Sequence, residues 1–168
     1  MELSVENIML RRKLEIELRP ATVADTRFLW DVFRVSMKDY ITQTRGEWNE
    51  QREKSQFLHQ LDLSAAQVIL SKNLEVGFIM APIKDNARWI HTICVVPEHQ
   101  NRGIGTEVIR SIIGEIETQK IPLYLSVLKV NPARGLYERL GFGIIEETKH
   151  HFRMQFSWRR GIRTRRVS

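Results

Sequence analysis

The segment HQNRGIGTEV, residues 99–108, places two glycines, an arginine and a hydroxyl group directly after a run of apolar residues. At the start of a helix the first backbone N–H groups are unpaired, and the helix dipole is positive there. Glycine has no Cβ, so it lets an anion approach the backbone closely. Arg102 adds a positive charge and Thr106 adds a hydroxyl donor. The segment therefore favours binding of a phosphate group at a helix start.

The spacing of the glycines excludes two common phosphate loops. A P-loop needs Gly-Lys-Ser/Thr, whereas Gly103 is followed by Ile-Gly-Thr. The dinucleotide fingerprint needs a third glycine where Val108 stands, together with a second βαβ half that does not follow. A third pattern, Q/R-x-x-G-x-G/A, is met by Gln100, Gly103 and Gly105.

Two features of the hydrophobic pattern predict how these residues are positioned. Apolar residues at helical spacing indicate helices, whereas alternating or β-branched runs indicate strands. The predicted elements are a strand over 13–22, a helix from about Val23, a break at 41–47, a helix over 48–62, strands over 66–71, 75–83 and 88–96, a helix over 103–119, a strand over 122–128, a helix over 132–140 and one or two strands over 142–156. This order predicts a single-domain α/β protein with a mixed sheet and helices on its faces.

The segments VVPEHQNRGIG and NPARGLYERLGF, taken together, closely resemble the GCN5-related N-acetyltransferase (GNAT) family. The resemblance covers roughly residues 14–156. It implies a mostly antiparallel sheet flanked by helices, with acetyl-CoA bound where two neighbouring strands splay apart; here these would be 88–96 and 122–129. It also implies direct acetyl transfer to a primary amine in a ternary complex, with no metal and no acyl group on Cys94.

The resemblance assigns mostly backbone roles to the cofactor-binding residues. A β-bulge would turn backbone groups of Ile93 to Val95 outward to pair with the pantetheine arm, and the N–H near Val95 would polarise the thioester carbonyl. The residues expected to wrap the pyrophosphate are Gln100, Asn101, Arg102, Gly103, Ile104, Gly105 and Thr106. Asn131 would contact the cofactor arm. Tyr137 would protonate the leaving thiolate as a general acid, and the alternative for Tyr137 is packing in the core.

A base is needed because an amine must be neutral to attack, and a lysine-like amine has a pKa of ~10.4. His91 lies two and four residues before Ile93 and Val95, so a regular strand places it on their face. His91 could take the proton directly or through water; a hydrogen-bonded histidine at the rim is the alternative. Glu75 is a poorer candidate because it lies beside a hairpin turn, and a water chain with no single base stays open.

Acceptor specificity in similar enzymes comes from the segment between the first two helices and from the late strands. Tyr40 and Trp48 are therefore candidate substrate-binding residues, although Trp48 could instead pack under a helix. Glu47 or Glu50 could attract a cationic amine. The late segment TKHHFRM carries His150 and His151, whose adjacency in a strand would send them to opposite faces rather than to one metal.

Charge and composition limit the other functions. The 168 residues carry a net charge of +6, but the last twelve hold five arginines and no acid. We therefore expect an acetyltransferase domain over 1–156 and a basic tail over 157–168, and the near-neutral domain argues against a nucleic-acid-binding surface. A chain with no long apolar run and no signal segment is expected to be cytoplasmic, without membrane contact. Its one cysteine excludes an internal disulfide.

The sequence predicts an acetyl-CoA-dependent N-acetyltransferase for a primary amine on a small molecule, a peptide or a protein. Two alternatives stay open: an RNA-associated acetyltransferase that uses the basic tail to act on aminoacyl-tRNA, and a non-catalytic acyl-CoA-binding module. A monomer and a homodimer are both compatible with the sequence.

Overall fold

The computed structural model describes residues 14–158, in which helices and strands follow the predicted order with two strands divided. The elements are β1 Ile16–Pro20, α1 Thr26–Arg45, α2 Glu50–Gln60, β2 Ala66–Ser71, β3 Leu74–Met80, β4 Ile83–Lys84, β5 Ala87–Ile90, β6 Thr92–Val95, α3 Ile104–Gln119, β7 Leu123–Leu128, α4 Ala133–Leu140, β8 Phe142–Glu147 and β9 His151–Phe156. The predicted domain over 1–156 and basic tail over 157–168 stay predictions, since residues 1–13 and 159–168 lie outside the described part. No helix within 14–158 is both long and apolar enough to cross a bilayer.

The strands form two sheets. One has the order β1-β2-β3-β6, and the other has the order β4-β5-β7-β9-β8. Within these sheets β5 and β7 run parallel, and the remaining neighbours are antiparallel. The β2–β3 hairpin turns at Lys72 and Asn73, with φ angles of 50° and 64°, as a two-residue hairpin loop requires. The predicted mixed, mostly antiparallel sheet is confirmed.

The predicted strand 88–96 is wrong as one strand, because it is divided at His91. Residues before His91 pair with β7 of the second sheet, whereas residues after it pair with β3 of the first. The backbone N–H of His91 donates to the carbonyl of Met80 at 2.9 Å, which fixes the point of transfer. The register of β6 on β3 is continuous from Thr92 to Val95, so the β-bulge expected there is replaced by this break.

Helices cover both faces of the first sheet. The predicted stripe of α3, Ile104, Val108, Ile112 and Ile116, is buried in a cluster that includes Val76 of the first sheet and Leu125 of the second. On the opposite side of the first sheet, α1 and α2 bury Leu29 and Phe57 against Val68 and Phe78. Each large apolar side chain buried in this way contributes about 1.5–3 kcal/mol.

The long first helix differs from its predicted bounds. A 3-10 turn over Val23–Asp25 precedes α1, which then continues through the predicted break at 41–47 as far as Arg45. Burial of Ile41 holds this last section against the molecule. The helix ends at Gly46, whose φ of 86° supplies the left-handed C-terminal residue.

Gly77 of β3 allows β6 to lie where it does. A Cβ at Gly77 would come within 2.2 Å of the Cys94 carbonyl oxygen and 3.0 Å of the Val95 Cα. Both contacts are with backbone atoms, which cannot rotate away. Any side chain at this position would therefore push β6 out of the sheet.

We expect Gly77→Ala to lower the free energy of unfolding by about 2–4 kcal/mol, because overpacking against backbone forces the strand to shift. Gly114→Ala is the matched control, since a Cβ there meets nothing within 4 Å on helix α3. Its expected effect is a small stabilisation, as for Gly to Ala in an exposed helix. Urea unfolding of both variants makes the comparison, and equal stability of the two would contradict the close approach.

Candidate functional site

The change of partner at His91 opens a cleft between β6 and β7. Strand β5, which leads directly into β6, is hydrogen-bonded to β7 as far as the pair Ile90 and Leu125. Beyond that point β6 follows β3 while the rest of β7 follows β9, so their facing edges separate. The opening has two adjoining halves, of about 460 Å³ and about 280 Å³. The splayed strand pair expected from the sequence is present, with its origin at His91.

The larger half of the cleft brings together most of the residues predicted to bind a cofactor. The predicted residues that line it are Ile93, Val95, Gln100, Asn101, Gly103, Ile104, Gly105, Thr106, Asn131 and Tyr137. Arg102 is exposed beside this half but does not line it. Arg139 of α4 lines it instead, and no carboxylate of the described residues does. This larger half is named the phosphate half below.

The loop before α3 exposes successive N–H groups. Asn101 and Gly103 have φ angles of 57° and 85°, so the chain turns twice into the left-handed region before the helix begins. The first intrahelical bond runs from the Glu107 N–H to the Gly103 carbonyl at 3.0 Å. The N–H groups of Ile104, Gly105 and Thr106 therefore have no partner within the helix. Such a turn at a positive helix end attracts anions.

Val95 presents its N–H to the cleft and has its carbonyl fixed. The Val96 N–H donates to the Val76 carbonyl at 2.8 Å, so alternation along the strand turns the Val95 N–H away from β3. The Val95 carbonyl accepts a bond from Gln100 Nε2 at 2.8 Å and one from Ser36 Oγ at 3.2 Å. The side chain of Gln100 thus anchors the loop to β6, and Ser36 of α1 is a lining residue that the sequence did not reveal.

Tyr137 lies where the two halves meet. The residues common to both linings are Met37, Ile93, Asn131 and Tyr137. Tyr137 is 7% exposed, and burial, followed by the nearby Cys94, raises its pKa above the usual range of a tyrosine. Its hydroxyl is therefore held in the protonated form. Asn131 Oδ1 accepts a bond from the Ala133 N–H at 2.9 Å, which orients the start of α4.

The smaller half is lined by three histidines, His91, His150 and His151. Burial, followed by the charge of Lys84, lowers the pKa of His91, with Asp62 acting in the opposite direction. Burial, followed by His150 and Arg45, lowers the pKa of His151. The expectation that His150 and His151 face opposite sides of a strand is wrong, because β9 begins at His151 and His150 lies in the turn before it.

Glu53 is a buried carboxylate in this smaller half that sequence reasoning missed. It is 4% exposed on α2 and accepts bonds from Arg45 Nη1 at 3.1 and 3.2 Å. Arg52 Nε donates to it at 3.1 Å. One signal could have found it: Glu53 precedes the buried Phe57 by four residues, which places both on one helix face. This smaller half is named the histidine half below.

The predicted acceptor residues are placed differently from expectation. Tyr40 lines the phosphate half rather than the histidine half. Trp48 lines neither, because it stacks on Trp30 with ring centroids 6.1 Å apart and donates to Glu50 Oε2 at 2.7 Å. Its packing alternative is therefore the observed one.

Two carboxylates that the sequence offered as candidates form ion pairs outside the cleft. Glu47 is paired with Arg52 at 2.8 Å, and Glu75 is paired with Arg19. Neither lines either half of the cleft. Glu75, already the poorer candidate for the base, therefore has no place beside the reacting groups.

Cys94 behaves as a structural residue. It is 3% exposed, and burial raises the pKa of its thiol to about 12, which a hydrogen bond with Ser36 partly offsets. A thiol with such a pKa is almost entirely protonated at neutral pH and is a weak nucleophile. This agrees with the expectation that Cys94 carries no acyl group.

Comparison with known proteins finds a family model that matches the middle of the chain. Residues 63–144 match the family model of the acetyltransferase (GNAT) domain. A curated relative, the [ribosomal protein bS18]-alanine N-acetyltransferase of Haemophilus influenzae, is 25% identical over 85 residues. That match covers 50% of this chain and 58% of the relative, so the chain matches little more than half of the relative's length.

Solved structures share the fold at low identity. The PaiA N-acetyltransferase of Thermoplasma acidophilum, solved in complex with coenzyme A, is 20% identical with a TM-score of 0.66, covering 86% of this chain and 100% of that one. The ribosomal-protein-S18-alanine N-acetyltransferase of Escherichia coli is 18% identical with a TM-score of 0.63, covering 84% and 92%. The predicted resemblance and fold class are confirmed.

Proposed function

Since this chain carries a GNAT acetyltransferase domain, we propose that it is an acetyl-CoA-dependent N-acetyltransferase acting on a primary amine. One observation carries the proposal: an anion-binding helix start and a histidine-lined opening meet at a buried, protonated tyrosine. A cofactor with phosphates at one end and a thioester at the other fits the first half, and an amine can approach through the second.

The phosphate half suits the diphosphate of coenzyme A. Unpaired N–H groups at the start of α3 and the two left-handed residues Asn101 and Gly103 form a concave donor surface. Arg139 adds a cation, and no carboxylate among the described lining residues opposes it. The outward N–H groups of edge strand β6 suit the amides of the pantetheine arm, which would pair as a further strand does.

The residues at the junction divide the chemistry between them. Acetyl-CoA supplies an acetyl group activated as a thioester. The Val95 N–H would donate to the carbonyl oxygen where negative charge develops, which is the role of an oxyanion donor. Tyr137 would donate its hydroxyl proton to the sulfur as it leaves, so that a thiol and not a thiolate is released. His91 would accept the proton that the attacking amine loses.

The acceptor is proposed as a primary amine on a small molecule, a peptide or a protein. The curated relative is named for the alanine of a ribosomal protein, and that name describes the relative. The RNA-associated alternative rests on the basic tail, of which residues 159–168 lie outside the described part. The non-catalytic alternative predicts acetyl-CoA binding with no acceptor-dependent release of free coenzyme A, which a turnover assay distinguishes from the proposed activity.

Gly103→Glu should abolish acetyl-CoA binding. The φ of 85° at Gly103 disfavours any side chain at this position, and the added carboxylate would repel the diphosphate of the cofactor. Calorimetric titration with acetyl-CoA measures the effect, with a loss of at least about 100-fold in affinity expected. Gly114→Glu adds the same charge to α3 in open space and should bind normally. Unchanged binding by Gly103→Glu would remove the phosphate site.

Tyr137→Phe should lower kcat by about 10²-fold or more, because general acid catalysis typically contributes that much. The Kd for acetyl-CoA should stay within about twofold, since Phe keeps the packing. Tyr124→Phe, which alters a ring stacked on Trp89 outside the two halves, serves as the control. Steady-state rates with calorimetry separate the two effects, and a full kcat in Tyr137→Phe would exclude the acid role.

His91→Gln should change how the rate depends on pH. The lowered pKa of His91 keeps its imidazole neutral, and able to accept a proton, down to a pH below 6.5. The ratio of wild-type to variant kcat should therefore be large near pH 8 and fall toward one as the pH drops through that pKa. The amine's own titration is common to both enzymes and cancels. A ratio that stays constant with pH, as expected for the exposed His59→Gln, would assign the base elsewhere.

A further inference from the structure

The charged groups along the histidine half favour a positive surface. Its ionisable lining groups are Arg45, Glu53, His91, Tyr137, His150 and His151, and burial raises the pKa of Tyr137 so that it stays uncharged. The histidines are either neutral or cationic, so protonation can only make the surface more positive. Glu53 is the one carboxylate among the described residues of this lining.

Glu53 is already paired with two arginines, of which Arg52 is also paired with the exposed Glu47. Its oxygens accept from Arg45 Nη1, and one of them also lies 3.0 Å from Arg52 Nη2. A carboxylate in two charge-assisted pairs has little capacity left for an incoming ammonium group. Lys84 and Asp62, the charged groups that act on His91 from outside the lining, have opposite signs and move its pKa in opposite directions.

Arg45 keeps donors for a further partner. Both of its bonds to Glu53 use the single nitrogen Nη1. Nε and Nη2 have no acceptor within hydrogen-bond distance among the described residues, and the side chain, which lines this half, is 45% exposed. The guanidinium is also close enough to His151 to lower the pKa of that imidazole. A planar guanidinium with an unused edge is the side chain best suited to a planar or tetrahedral oxyanion.

Building on the proposed function, we propose that the acceptor is an amine whose body carries an anionic oxygen group, carboxylate or phosphate, and that Arg45 binds this group. The reacting amine then lies toward His91 and Tyr137, while the anion lies toward Arg45. A polyamine is disfavoured, because its second ammonium meets arginine and imidazole, and the one carboxylate among the described lining residues is already paired. Arg45 is a specificity-determining residue in this arrangement, and Arg52, outside the lining, is not.

The test uses four amines of similar length that differ at the far end. They are 4-aminobutyrate, 3-aminopropylphosphonate, butylamine and 1,4-diaminobutane. Three tripeptide amides that begin with alanine and carry aspartate, asparagine or lysine second extend the series to peptide acceptors. The N-acetyl product is quantified by mass spectrometry with saturating acetyl-CoA at pH 8, for the full-length chain. We expect kcat/KM to be at least about tenfold higher for anionic members than for neutral ones, and lowest for cationic ones.

Two variants separate recognition from stability. Arg45→Gln and Arg52→Gln each remove one arginine from the buried Glu53 and leave the other in place. Arg45→Gln should bring the ratio of anionic to neutral acceptors to about one, whereas Arg52→Gln should keep the wild-type ratio. Loss of the ratio in both variants alike would mean that burial of Glu53, and not Arg45, sets the preference, and would overturn the inference.

The outcomes also distinguish a failure of the Arg45 inference from a failure of the proposed acetyltransferase function. Preferred acetylation of the carboxylate or of the phosphonate supports the inference and identifies which oxyanion is read. Acetylation of butylamine, of diaminobutane or of the lysine peptide at an equal or higher rate overturns it, while the acetyltransferase function stands. Acetylation of no member of the series rejects both.

Discussion

The cleft depends on one constraint, the transfer of a continuous chain segment from one sheet to the other at His91. Ile90 is still paired with β7, and Thr92 is already paired with β3. The transfer requires β6 to lie against β3 at very short range, which the missing side chain of Gly77 permits. β6 is the last strand of its sheet, so only the edge that faces β3 has hydrogen-bond partners in the sheet. The other edge of β6 keeps its N–H and C=O groups open to a ligand.

The open edge becomes a site because helices from opposite sides close over it. Helix α3 begins beside the end of β6 and directs its unpaired N–H groups toward one half. Helix α1 contributes Ser36 to the Val95 carbonyl and Met37 to the junction, and α4 contributes Tyr137 to the junction. Burial of that tyrosine keeps its proton in place, so the same packing that stabilises the core also holds the Tyr137 hydroxyl in its protonated form.

The two halves differ in how they handle charge. The phosphate half relies on backbone donors and arginine with no opposing acid among its described lining residues. The histidine half contains a buried acid, and two arginines neutralise it. Breaking one such buried pair leaves an uncompensated charge, which is costly, so the Arg45–Glu53–Arg52 cluster fixes the end of α1 against α2. The same cluster thereby fixes the position of Arg45 at the cleft.

The sequence by itself determined the features that depend on local backbone geometry. The glycine spacing before α3, the end of the helix predicted over 132–140 and the short connection after the strand predicted over 66–71 all lie where the pattern predicted them, because each needs only its own few residues. Gly141, with a φ of 106°, ends that helix, and Lys72 and Asn73 form that connection. Nearly all the residues predicted to bind the cofactor share one half of the cleft, although they lie on β6, on the loop before α3 and near α4, which only the tertiary structure brings together. Only the tertiary structure decided three other features, which are the division of the strand at His91, the stacking of Trp48 on Trp30 and the burial of Glu53. Which strand a segment pairs with, and which charge a helix face buries, depends on partners far away in sequence, and local propensity carries no information about them.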